Sequence, residues 1–187
     1  MRPVVLTGST VVLTVPRAGD VDAITAACRD RSIVRWTTVP DPYTRADAQR
    51  FVGDVVPAGW AAHSPVWAVR TSADGPLLGT VGLIERDASA AEIGYWIAPA
   101  ARARGLATES VNLLCDYAFR SDGLKLDRIE WRALAGHRAS AAVARRVGFR
   151  FEGVQRRGIL QRGSRHDAWV AGLLPDDPRV PADGWPM

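Results

Sequence analysis

The apolar positions of this chain change their spacing several times from one end to the other. From Ala107 to Phe119 they recur at helical intervals, with Val111, Leu114, Cys115 and Ala118 on one stripe. Asp20 to Cys28 and Ser140 to Val147 read as shorter helices, the first capped by Asp20 and the second stopped by Gly148. Thr44-Arg-Ala-Asp47 has the form of a capping box and opens a helix to about Val55. Runs rich in β-branched and aromatic residues predict strands at 10–15, 65–70, 78–85, 92–97, 128–135, 151–157 and 166–173. Ala73-Asp74-Gly75 supplies a hairpin-type turn, and Val39-Pro-Asp-Pro42 marks a loop. Strand, loop, helix and strand follow one another from Glu92 to Ala135, the order of a parallel crossover unit. The pattern predicts a mixed α/β chain of about seven strands and about four helices.

Composition narrows this picture without redirecting it. The 187 residues, 47% of them hydrophobic, suit one domain with a full core. The expected boundaries are a domain over 1–174 and an irregular tail over 175–187, which carries four prolines. No apolar run approaches the roughly 20 residues of a membrane span, and the N-terminus has no apolar core of a signal peptide. Cys28 and Cys115 fall on separate predicted helices and read as buried free thiols, so a cytoplasmic protein is expected. The net charge is +4, and Lys125 is the only lysine. Arginine's planar fork suits phosphates, but the arginines are dispersed rather than gathered on a face with interleaved aromatics. That distribution argues against nucleic acid.

The segment that carries chemistry is Glu92-Ile-Gly-Tyr-Trp-Ile97, followed by Arg102-Ala-Arg-Gly-Leu-Ala-Thr108. A strand ends, a basic loop with a glycine follows, and a helix begins. Unpaired N–H groups and the positive end of the helix dipole then converge on one point, which favours an anion such as a diphosphate. Arg102, Gly105 and Ala107 match the acyl-coenzyme A loop of the Gcn5-related N-acetyltransferases. A second segment, His137-Arg-Ala-Ser140 with Val147-Gly-Phe149 and Phe151-Glu-Gly153, resembles the branch that acetylates ribosomal-protein N-termini and small amines. The resemblance runs from about Val11 to Leu174. It implies that fold, a mostly antiparallel twisted sheet whose central strands run parallel and splay at the cofactor cleft. It also implies acetyl-coenzyme A as cosubstrate, held by Ile97, Arg102, Ala103, Arg104, Gly105, Leu106, Ala107 and Thr108 with His137 and Ser140. No metal is implied.

Acyl transfer to an amine needs a neutral amine, a donor for the oxyanion and a proton for the departing thiolate. Glu130, in Ile-Glu-Trp-Arg-Ala, resembles the strand that carries the base in ribosomal acetyltransferases; Glu85 ranks second and Glu92 third. Ser140 is the candidate proton donor, its other reading being a first-turn helix cap. His137 stands where the family has asparagine, and it brings a titratable group to the cleft. Trp36 and Trp60 are candidates for an amine pocket. The expected acceptor is a protein N-terminal or small-molecule amine. Rival readings are another acyl donor, aminoacyl-tRNA included, and a silent acyl-coenzyme A sensor. A homodimer is compatible with all of them.

Overall fold

The computed structural model describes residues 1–186 and bears out the mixed α/β architecture. Eight strands form one sheet in the order β1-β2-β3-β4-β5-β6-β8-β7. They are β1 (Leu6–Thr7), β2 (Val12–Thr14), β3 (Val66–Arg70), β4 (Gly79–Glu85), β5 (Ala90–Ile97), β6 (Arg128–Leu134), β7 (Arg150–Gln161) and β8 (Ser164–Leu173). All neighbours are antiparallel except β5 and β6, which pair from Ala90↔Arg128 to Ile93↔Trp131. Both strands continue beyond that last pair while β5 stays registered with β4 as far as Gly79↔Ile97. The sheet therefore splays between β5 and β6.

The helices are α1 (Val21–Cys28), α2 (Arg31–Trp36), α3 (Arg45–Arg50), α4 (Val56–Ala61), α5 (Leu106–Phe119) and α6 (Arg138–Val147). A π-helical segment, Phe51–Val55, joins α3 to α4 without a break. Pro57 in α4 has no N–H for the carbonyl of Gly53, and the wider turn falls immediately before it. The predicted capping box is present: Thr44 Oγ1 accepts from the Asp47 amide at 3.2 Å and Thr44 N donates to Asp47 Oδ2 at 2.9 Å. Asp20, by contrast, does not cap α1 with its side chain. Its carboxylate accepts from the fully buried Arg70 guanidinium at 2.5 Å and from the Arg17 amide at 2.8 Å, since a buried charge must be paired.

The stripe on α5 buries Leu106, Val111, Leu114, Cys115 and Ala118, and Ala141, Ala144 and Val147 of α6 join them against Val81, Leu83, Ile93 and Trp131. Gly148 ends α6 at φ 105°, as its position predicted. A smaller cluster on the opposite face packs Val21 and Ile24 of α1 and Ala48 of α3 around Ala68, Leu77 and Trp96. Burial pushes the thiols of Cys28 and Cys115 up to about 11 and about 12. No helix among the described residues is long and apolar enough to cross a membrane. Residues 175–186 contain no helix or strand, yet Trp185 packs edge-on against Trp131 at 5.3 Å and donates to the Phe149 carbonyl.

Candidate active site

One cleft of about 1000 Å³ follows the splay, and every residue expected at the coenzyme lines it: Ile97, the loop from Arg102 to Thr108, His137 and Ser140. The loop's geometry comes from backbone strain placed where it is useful. Gly105 sits at φ 79°, ψ −8° immediately before α5, and Ala103 at φ 58°. A Cβ on Gly105 would meet no heavy atom within 4 Å, so the backbone there faces open space. Among the described residues, no N–H from Ala103 to Thr108 donates to another part of the chain. These free donors at the N-terminus of a fourteen-residue helix form a cradle for phosphate oxygens. Arg102 serves it indirectly, donating from Nε to the Ile97 carbonyl (3.0 Å) and from Nη1 to Ser32 Oγ of α2 (2.8 Å).

His137 precedes α6 and lies flat on Trp36 of α2, ring centroids 4.5 Å apart at 7°. Burial, and then the nearby Arg102 charge, lower its pKa to about 4, so the imidazole is neutral at physiological pH. Ser140 is not a helix cap: its Oγ donates to Tyr95 Oη at 3.0 Å. The phenol in turn donates to the Ser140 carbonyl at 2.9 Å, and Trp131 Nε1 lies 3.1 Å from Tyr95 Oη and from Ser140 Oγ. Burial pushes the Tyr95 phenol above its ordinary value, while the bonds from Ser140 and Trp131 pull the other way. Sequence reasoning misses Tyr95 and Trp131. The signal that could have found Tyr95 is its place two residues before Ile97, on the same face of β5.

The three carboxylates separate by strand face. Ile84 pairs with Glu92 and Glu92 with Glu130, so these side chains share the face away from α5. Glu85 lies one residue along β4, on the other face, exposed and outside the cleft lining. Glu130 is also outside the lining and stands 3.7–4.0 Å from Arg86, Arg128 and Arg132. Glu92 does line the cleft, paired with Arg86 and 3.7 Å from Arg132. Trp36 lines it as well; Trp60 instead packs edge-on against Trp67 in the core at 4.6 Å.

Residues 10–150 match the model of the acetyltransferase (GNAT) domain. The chain belongs to this family. The GNAT domain here is 39% identical over 103 residues to YdaF of Bacillus subtilis strain 168, named as a ribosomal N-acetyltransferase; the match covers 54% of this chain and 55% of the relative. The chain thus spans little more than half the length of that relative. Its fold superposes on Mycobacterium smegmatis RimJ, solved with a coenzyme A disulfide, at a TM-score of 0.77 and 23% identity, covering 93% of this chain and 87% of that one. The microcin self-immunity acetyltransferase MccE, in complex with acetyl-CoA and AMP, gives a TM-score of 0.79 at 17% identity, covering 89% and 93%. What this GNAT domain shares with the two solved structures is the fold.

Proposed function

We propose that the protein transfers an acetyl group from acetyl-coenzyme A to a primary amine, a protein N-terminus or a small molecule, within one ternary complex. The observation that carries this reading is the meeting of two features in a single cleft: the unpartnered N–H cradle around Gly105, and the Glu92 carboxylate on the far side of the splay. The coenzyme supplies a thioester that is already activated. The chain's contribution is to place the two reactants together, which accounts for most of the rate in such chemistry. The β6-facing backbone groups of β5 beyond Ile93 have no strand partner and are available to an extended ligand arm. Glu92 accepts the ammonium proton, directly or through water, and Ser140, its hydroxyl aligned by Tyr95, passes a proton to the departing sulfur and regains one from solvent. Neutral His137 offers one N–H without adding charge. The ribosomal name of the Bacillus subtilis relative supports a protein acceptor; retention of Glu92 and Ser140 on the cleft disfavours a silent sensor.

Calorimetry with acetyl-coenzyme A, followed by thiol release against an amine panel, tests the reading. Binding with amine-dependent release is expected, and kcat/KM should rise with pH along one ionisation. Glu92→Gln should lower kcat/KM at neutral pH by roughly ten- to a hundredfold, a deficit that shrinks as pH approaches the amine's own pKa. A deficit constant with pH assigns Glu92 to amine binding instead.

A further inference from the structure

The acceptor side of the cleft has a composition that goes further than "primary amine", and its meaning for the acceptor rests on the transferase reading. Its floor is the β4–β5 face opposite α5, where Ile84 lies directly across from Glu92 and Gly82 across from Gly94. A Cβ on Gly94 would meet nothing within 4 Å, so the floor opens straight into the cavity. Its walls are mainly apolar, with Ile33 and Phe51 from the helical layer and Ile159 and Leu160 from β7 beside the neutral polar Thr37, Thr38, Thr80 and Gln161. Ile84 and Leu160 remain 53% and 56% exposed, large aliphatic side chains left uncovered beside an open cavity.

The charges are as selective as the apolar walls. Among the described residues Glu92 is the sole carboxylate lining the cleft. Arg132, the cation beside it, is already committed: its Nη2 donates to Gln155 Oε1 at 2.6 Å and to the Gly158 carbonyl at 2.8 Å, and it stands 3.7 Å from Glu92 and from Glu130. Arg86, paired with Glu92, also stands 3.7 Å from Glu130, so it keeps a carboxylate when an ammonium takes Glu92. The other cleft arginines, Arg102, Arg104 and Arg146, sit on the loop and α6 at the coenzyme end. One ammonium therefore finds one carboxylate. Beside Glu92 a second ammonium would meet arginines, and an acceptor's own carboxylate would find only Arg86 and Arg132, both already paired; either charge would be desolvated there without a partner.

We infer that the acceptor is a monoamine on an uncharged apolar body, its ammonium against Glu92 and its body lying over Gly94 between Ile84 and Leu160. An arylalkylamine and the apolar first residue of a peptide share this chemistry, and the panel distinguishes them. Thiol release from acetyl-coenzyme A is measured with 2-phenylethylamine, phenylalanine, spermidine, and two C-terminally amidated peptides beginning with Phe or with Asp. The amine or the Phe peptide should exceed phenylalanine, spermidine and the Asp peptide by at least about tenfold in kcat/KM. The faster of the first two names the source. Equal or higher rates with spermidine or phenylalanine overturn the inference, as does coenzyme binding with no turnover of either apolar acceptor. Failure to bind acetyl-coenzyme A at all overturns the transferase reading instead. Ile84→Asp adds a second carboxylate at an exposed position. It should raise kcat/KM for spermidine and lower it for 2-phenylethylamine, each by about tenfold, at unchanged coenzyme affinity. An unaltered ranking in the folded variant is evidence against the assigned floor.

Discussion

Gly105 combines a left-handed backbone with an empty hemisphere above its Cα, and the two properties fail differently on substitution. Gly105→Val has room for its side chain, so the protein should fold with about 1–2 kcal/mol lost to strain. The branched side chain occupies the space in front of the free N–H groups, and acetyl-coenzyme A affinity should drop about a hundredfold or more by calorimetry. Unchanged affinity in a folded variant would rule out the loop as the phosphate cradle. Ser140 poses a different question, because its hydroxyl already has an acceptor in Tyr95. Ser140→Ala leaves the Trp131–Tyr95 contact and the bond from Tyr95 to the Ser140 carbonyl in place, so stability should fall by only about 1 kcal/mol. If the hydroxyl protonates the thiolate, kcat falls roughly ten- to a thousandfold while the KM for acetyl-coenzyme A barely moves. Parallel melts and turnover numbers check both halves of that expectation.

At the level of elements, α2 closes the cleft through contacts from distant parts of the chain. Arg102 reaches Ser32, His137 stacks on Trp36, and Gln161 and Arg162 at the tip of the β7–β8 hairpin donate to carbonyls of Val34, Arg35, Thr37 and Val39. The Trp36–His137 stack makes this closure acid-sensitive. The imidazole has a pKa of 6.5 when free and about 4 in the fold, so from about pH 6.5 down to 4 the unfolded chain binds a proton that the folded chain refuses. Its contribution to stability is complete above that window and is lost as pH falls through it. His137→Asn should therefore show a flatter denaturant midpoint between pH 7 and pH 4.5 than the parent protein. His137 and Trp36 are legible in the sequence as cleft residues, but neither α2 nor the stack that joins them is. Arg-Ser-Ile-Val-Arg-Trp is one and a half turns with two β-branched residues, and only Asp30, whose carboxylate accepts from the Ser32 amide, marks a start. The sequence pattern ends β7 at Arg157 because the charged run there resembles a loop; a register shift between Gln155 and Ile159 lets the strand continue to Gln161. The coenzyme loop is readable because all its parts are contiguous. The choice among three glutamates is not, since it depends on strand faces and register, which a single sequence does not contain.

For the whole molecule, the tail is part of the packing around the site. Trp185 touches Trp131 and Phe151, Arg145 Nε donates to the Ala182 carbonyl at 2.8 Å, and Asp177 pairs with Arg150 at 2.9 Å. Trp185→Ala should cost about 2 kcal/mol, or roughly 4–8 °C in Tm for a chain of this size, measured by thermal melting. An unchanged Tm would show that the tail contributes no packing. The strand order adds a constraint in time. Because β8 lies between β6 and β7, the edge of β6, an interior strand of the finished sheet, stays open until Ser164–Leu173 docks beside it. Any folding intermediate that lacks β8 holds the splayed pair with its outer flank unpaired, and that bare edge is the place where another strand can mispair.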